Sequence, residues 1–138
     1  MRKLAAVALL VVVASTSYAE KVKGPKKVKS FESVSVTANA VAGSYRGPSE
    51  AYGLVLEIGA DGILRGNYVE MGSVAVLNGI QLNGSELTAR ASFDDGSSRT
   101  ITGSFAKRTL NGRAAFGVRM YDVPVEDMGE IDTFFERL

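Results

Sequence analysis

The side chains that could do chemistry in this chain of 138 residues are carboxylates, hydroxyls, phenols and amines, because it has no His and no Cys. There is thus no imidazole to act as an acid or base near neutral pH, no thiolate, and no His or Cys to hold zinc or another transition metal. Two clusters remain. Asp94-Asp95-Gly96-Ser97-Ser98 gathers several oxygens in one stretch, the raw material of a calcium loop. It lacks the alternating spacing and closing Glu of such a loop, and Asp and Ser hold turns by bonding to nearby backbone, so turn chemistry is the expected role. Glu126, Asp127 and Glu130 lie where a helix would begin and where its macrodipole would favour negative charge. Ser97 and Ser98 have no His and no neighbouring Lys to activate them. The expectation is therefore a protein that is not an enzyme, with no catalytic residue, no metal and no cofactor.

The elements that carry these residues read as strands. From Tyr52 onward short apolar and polar residues alternate, broken by Gly, Asn and Asp. A three-residue loop at Ala60-Asp61-Gly62 would pair Ile58 with Leu64, Leu56 with Gly66 and Leu54 with Tyr68. Met71-Gly72-Ser73, read as another three-residue loop, pairs Tyr68 with Val76 and Leu64 with Ile80. Asn83-Gly84, a two-residue hairpin signal, pairs Ile80 with Leu87 and Val76 with Ala91. The stretch 94–98 pairs Ala91 with Ile101, Ala89 with Gly103 and Leu87 with Phe105, and Asn111-Gly112 sets Phe105 opposite Val118. Each turn keeps apolar residues on one face, which is the condition on register. Asn78-Gly79, inside a strand, marks a bulge.

Residues 41–46 form a further strand, and 31–40 another with Val34, Val36, Ala38 and Ala40 on one side. Seven or eight antiparallel strands would expose two edges unless the meander closes, so the fold class expected is an all-β, up-and-down barrel. After it, Met128, Ile131, Phe135 and Leu138 recur at three and four residues, and Asp127 and Glu130 are spaced as an N-cap pair. This spacing predicts a short amphipathic helix over 127–138.

The ends of the chain differ from its body. Arg2 and Lys3 precede an apolar run over 4–14, and Ser17-Tyr18-Ala19 places small residues three and one before a cut, the pattern of a signal peptide over 1–19 cleaved after Ala19. The apolar run is about half the length of a spanning helix. Export to a periplasm or the exterior follows. Residues 20–30 carry five Lys against one Glu, a basic flexible arm, while residues 122–138 carry six acids against Arg137. The domain itself spans 31–138. Its neutral body has no basic stripe for nucleic acid. Strands of seven to nine residues, short loops at both ends and few aromatics do not suit an outer-membrane barrel.

Gly43-Ser44-Tyr45 on an early strand, the hairpin at Asp61-Gly62 and then Gly66-Asn67-Tyr68 resemble the opening of small lipocalin-like, calycin-type barrels, avidins included, which begin with Gly-any-Trp. About thirty residues carry the resemblance, and Tyr45 stands where that pattern has Trp. It implies a barrel that holds a small ligand inside, without implying biotin, whose site uses Trp walls. The register places small residues at mid-strand, and a cavity there would be lined by Leu56, Gly66, Tyr68, Ala89, Ala91, Gly103 and Phe105, with Tyr68 as the polar handle for a small apolar or amphipathic molecule. The alternative is that Phe93, Phe105 and Phe116 fill the space. In that case the barrel is a scaffold, an envelope or secreted interaction module whose acidic C-terminal helix offers Ile131, Phe134 and Phe135 to a protein partner.

Overall fold

The computed structural model describes residues 29–138, so the expected export signal and residues 20–28 of the basic arm lie outside the described residues. The strands are β1 (Lys29–Ser33), β2 (Gly43–Arg46), β3 (Gly53–Ile58), β4 (Leu64–Glu70), β5 (Ser73–Asn83), β6 (Glu86–Phe93), β7 (Ser98–Leu110), β8 (Arg113–Val125) and β9 (Gly129–Arg137). One turn of helix, α1 (Ala38–Val41), precedes β2. All neighbouring strands are antiparallel, and β2 through β9 close into an eight-stranded ring by pairing β9 with β2. Closure removes the edges that an open meander would leave.

The ninth strand lies outside the ring. β7 is long enough to pair β6 along Ser98–Ser104 and β1 along Ala106–Leu110, so β1 continues the edge of β6. Residues 31–40 are therefore no barrel strand. The chain leaves β1, donates from Val34 to the Phe105 carbonyl and from Val36 to the Gly84 carbonyl, and then turns into α1 across one end of the ring. Thr37 caps that turn, its Oγ1 accepting from the Ala40 amide at 3.4 Å.

Turn chemistry sets the register. The loop at 60–62 pairs Ile58 with Leu64 and Leu54 with Tyr68, and the Asn111-Gly112 loop pairs Phe105 with Val118, both as the alternation requires. Between them the structure departs from expectation. Met71 and Gly72 form a two-residue turn with positive φ at both positions, so Tyr68 faces Ala75 rather than Val76. Val76 consequently points outward and is 54% exposed. The bulge at Asn78–Gln81 restores the face, and Ile80 and Leu82 return to the interior side. The next two turns each shift the pairing by two residues, which keeps the face: Leu87 meets Leu82 and Gly103, and Ala89 meets Ile101 rather than Gly103.

Residues 127–138 are not helical. β9 closes the ring, and Asp127 and Gly129, both with positive φ, make the tight turn from β8. Ile131 and Phe135 satisfy spacing by four and spacing by two alike, and Thr133 between them faces inward, so the polar residue hid the strand period. Met128 and Leu138, the outer members of the helical pattern, are 63% and 73% exposed. Among the described residues no helix is long and apolar enough to cross a membrane.

The core is one cluster inside the ring. Tyr45, Leu54, Leu56, Tyr68, Leu87, Ile101, Phe105, Val118, Met120 and Phe135 are buried, and each large side chain so buried stabilises the fold by roughly 2 kcal/mol. Aromatic rings cross the interior. Phe105 stacks on Phe116 at 5.8 Å between centroids, Tyr45 meets Phe105 edge-on at 6.2 Å, and Tyr68 lies 6.0 Å from Phe135.

Candidate functional site

The strand ends divide the barrel into two unlike mouths. At one, α1 lies over the opening and Val41 is fully buried. The Tyr45 hydroxyl donates to the Val41 carbonyl at 2.6 Å, and Arg137 donates to the Ala40 carbonyl at 2.6 Å while lying 4.5 Å over the Phe116 ring. Burial holds the Tyr45 hydroxyl above the ordinary phenol pKa, with Arg137 pulling the other way. This mouth is plugged, and its polar groups are paired.

The waist is filled. The expected lining residues Leu56, Tyr68, Ala89, Ala91 and Phe105 are each no more than 2% exposed, so almost no water-sized space touches them. A Cβ on Gly103 would lie 2.8 Å from the Met120 sulfur and 2.9 Å from the Arg119 carbonyl oxygen, and one on Gly66 would collide with the Val55 carbonyl. These glycines therefore admit neighbouring strands rather than a ligand. The structure brings the expected site residues together in the core, where Phe105 stacks on the partly buried Phe116, while Phe93 lies at the open mouth.

The other mouth is open. Tyr68 and Glu70 project inward from β4, and Arg99 from β7, three strands away around the ring. Arg99 Nε donates to Glu70 Oε2 at 3.3 Å, and its Nη2 donates to Glu70 Oε1, so the pair spans the opening. Beneath it the Tyr68 hydroxyl is fully buried and close to both Glu70 and Arg99, yet makes a hydrogen bond of normal geometry to neither. Burial pushes its pKa up from the usual phenol value, the Glu70 charge adding to the effect and Arg99 opposing it. The guanidinium loses solvation, yet Glu70, Tyr68 and Glu130 hold Arg99 above its ordinary value.

Above the pair is a cleft of about 410 Å³ lined by Met71 and Phe93 on the apolar side and by Ser73, Ser97, Ser98 and Asp95 on the polar side. The Asp95 carboxylate accepts from the Ser97 amide at 2.9 Å and from the Ser97 hydroxyl at 2.6 Å, which lowers its pKa and fixes the loop. Backbone bonds from Asp94 to Val74 and from Gly72 to Ala51 tie the rim loops together, and the Tyr52 hydroxyl donates to the Pro124 carbonyl at 2.9 Å.

Glu70 and Arg99 lie on the inward face that the strand alternation defines. Continuing the inward series Leu64, Gly66, Tyr68 by two reaches Glu70, and running back from Gly103 and Ile101 reaches Arg99. Opposite charges at the inward ends of two strands are the signal.

The residues expected to meet a partner separate. Phe135 is fully buried in the core. Phe134 points outward and is covered by the chain itself: the Phe31 ring lies 5.6 Å away, Arg108 sits 4.6 Å over its face, and Gly117 leaves the room its ring occupies. Ile131 and Phe134 line a surface groove of about 440 Å³ beside β9, with Met128, Leu138 and Arg46. β9 pairs β2 through Tyr45↔Arg137 and Arg46↔Glu136, with Leu138 donating to the Ser44 carbonyl just beyond them, so its first half has no ladder partner on that side among the described pairings.

No family model, curated protein or solved structure matches the chain. The closed eight-stranded antiparallel ring fits a calycin-like architecture and stands at that level alone.

Proposed function

We propose that this chain is an exported, non-catalytic binding barrel that takes a small amphipathic molecule at its open mouth rather than at its waist. The observation that carries the reading is the Tyr68 hydroxyl, fully buried and unpaired beneath the Glu70–Arg99 bridge. Leaving such a group unsatisfied costs about 1–3 kcal/mol, a cost that a ligand able to reach it would relieve. Phe93 and Met71 offer an apolar wall, and the bridge and serines offer polar contacts, which suits a molecule with both characters. Native mass spectrometry of the protein purified from an exporting host tests this. The expected result is an added mass lost on denaturation and lost again in Phe93→Ser. A bound mass that persists in Phe93→Ser places the ligand elsewhere and sinks the mouth reading.

A second reading, a protein-interaction module, has its own observation in the free edge of β9 beside the groove. The occupant would be an extended strand of a partner protein, added to that edge by main-chain hydrogen bonds. A polypeptide retained in the native spectrum and released by Met128→Arg with Leu138→Asp supports it. Retention indifferent to those exchanges counts against it, since both side chains flank the groove and are largely exposed.

A further inference from the structure

We propose that the head group bound at the open mouth is a cation, an ammonium or guanidinium on an apolar body, which seats on Glu70 in place of Arg99. The inference rests on the mouth being the binding site and goes on to name the chemistry that it selects.

The two members of the bridge are unequal. The Glu70 side chain is 12% exposed and that of Arg99 is 34% exposed. An anion entering the mouth would have to draw Arg99 away, leaving the carboxylate buried without a counter-charge, and breaking a buried pair from one side is the costly way to do so. An entering cation asks the opposite. It takes over Glu70, and the displaced guanidinium is the longer, more exposed partner, free to turn outward into water. Arg99 already feels Glu130, and Asp95 stands on the cleft wall, so the released charge has acids close by.

The charge of the mouth agrees. Glu70, Asp95 and the nearby Glu130 outnumber Arg99 and Arg90, whose Nη2 donates to the Ser98 hydroxyl of the cleft wall at 2.9 Å, so an added positive charge brings the site nearer to balance and an added negative one takes it further away. The Tyr68 hydroxyl completes the site from below. Its oxygen can accept from a cationic N–H while its O–H donates to Glu70, which pairs the one buried side-chain polar atom of this mouth that has no partner among the described residues. The apolar body of the ligand would then run up along Phe93 and Met71.

Octylammonium and octanoate, matched in chain and opposite in charge, separate the outcomes. The chain has five Tyr and no Trp, so tyrosine emission, with the share that Tyr68→Phe removes taken as that of Tyr68, follows the site without a brighter fluorophore over it, and calorimetry gives the affinity. Octylammonium should bind saturably, about tenfold or more tighter than octanoate. Glu70→Gln should weaken it by a similar factor, and Arg99→Met should strengthen it severalfold by removing the internal competitor. Octanoate binding as tightly as octylammonium, or octylammonium binding indifferent to Glu70→Gln, overturns the assignment of a cation while leaving the mouth as the site. If neither probe binds nor changes the tyrosine signal, the mouth reading falls and the cation with it. Should Glu70→Gln fail to fold, Arg99→Met decides alone, and weakened octylammonium binding in that variant overturns the proposal.

Discussion

Two tyrosines, one near each end of the barrel, make a matched pair. Tyr45 and Tyr68 are 3% and 0% exposed, both point into the same core, and burial raises both pKa values. Their hydroxyls differ in one respect. Tyr45 donates to the Val41 carbonyl of the plug, and Tyr68 donates to nothing. At the plugged mouth the polar groups close on one another, and Arg137 adds a bond from the last strand to the same turn of helix. At the open mouth an ion pair spans the gap and leaves a polar atom idle beneath it. The first arrangement serves stability, whereas the second gives up stability where a ligand could recover it.

The strongest way to break the comparison is to place a charge at each mouth. Val41→Asp buries a carboxylate in the plug, where Val41 is fully buried and the nearby Arg137 is already bonded to the Ala40 carbonyl, and should cost about 3–5 kcal/mol in urea unfolding. Ser73→Asp on the exposed rim of the open mouth should change stability by under about 0.5 kcal/mol. Equal losses at the two positions would mean that the mouths are equally closed.

Removing each hydroxyl sharpens the comparison further, because the two effects should have opposite sign. Tyr45→Phe leaves the Val41 carbonyl without its donor and should destabilise the protein by about 1–2 kcal/mol. Tyr68→Phe removes an unpaired buried hydroxyl and should stabilise the empty protein by about 1 kcal/mol, raising its melting temperature by several degrees. If Tyr68→Phe were destabilising, the hydroxyl would have a partner and the difference between the ends would vanish.

How much of this could be read from the chain follows from which rule governed each part. The closed barrel was legible because alternation and Gly-rich turns have few other solutions, and the loops at 60–62 and 111–112 were read in the right register. The 71–72 turn was misread because Met71 sits at positive φ, a conformation in which side chains other than Asn, Asp and Gly are uncommon. That slip and the bulge after Asn78 compensate, so the second half of β5 kept its face while Val76 did not. β9 was mistaken for a helix because Thr133 broke the apolar alternation that Ile131 and Phe135 would otherwise have shown. The site was harder to read. Alternation identifies which residues face inward, but the joining of Glu70 to Arg99 across three strands depends on ring closure, which no local pattern encodes.

Alkaline pH provides the smallest and finest contrast. Both tyrosines have raised pKa values in the folded protein, so below pH about 10 folded and unfolded chains hold the same phenolic protons and neither residue makes stability depend on pH. As pH rises past that point the unfolded chain releases its protons while the folded one keeps them, and stability falls with a slope of about 1.4 kcal/mol per pH unit for each retained proton. Either Phe exchange should remove one proton's share of the slope, measured as the unfolding midpoint between pH 9 and 11. Tyr68→Phe should start from a higher midpoint at pH 8 and Tyr45→Phe from a lower one, since one loses an idle group and the other a working bond. A bound cation on Glu70 should flatten the slope in the native chain less than Tyr68→Phe does, because it pairs the phenol without removing the proton.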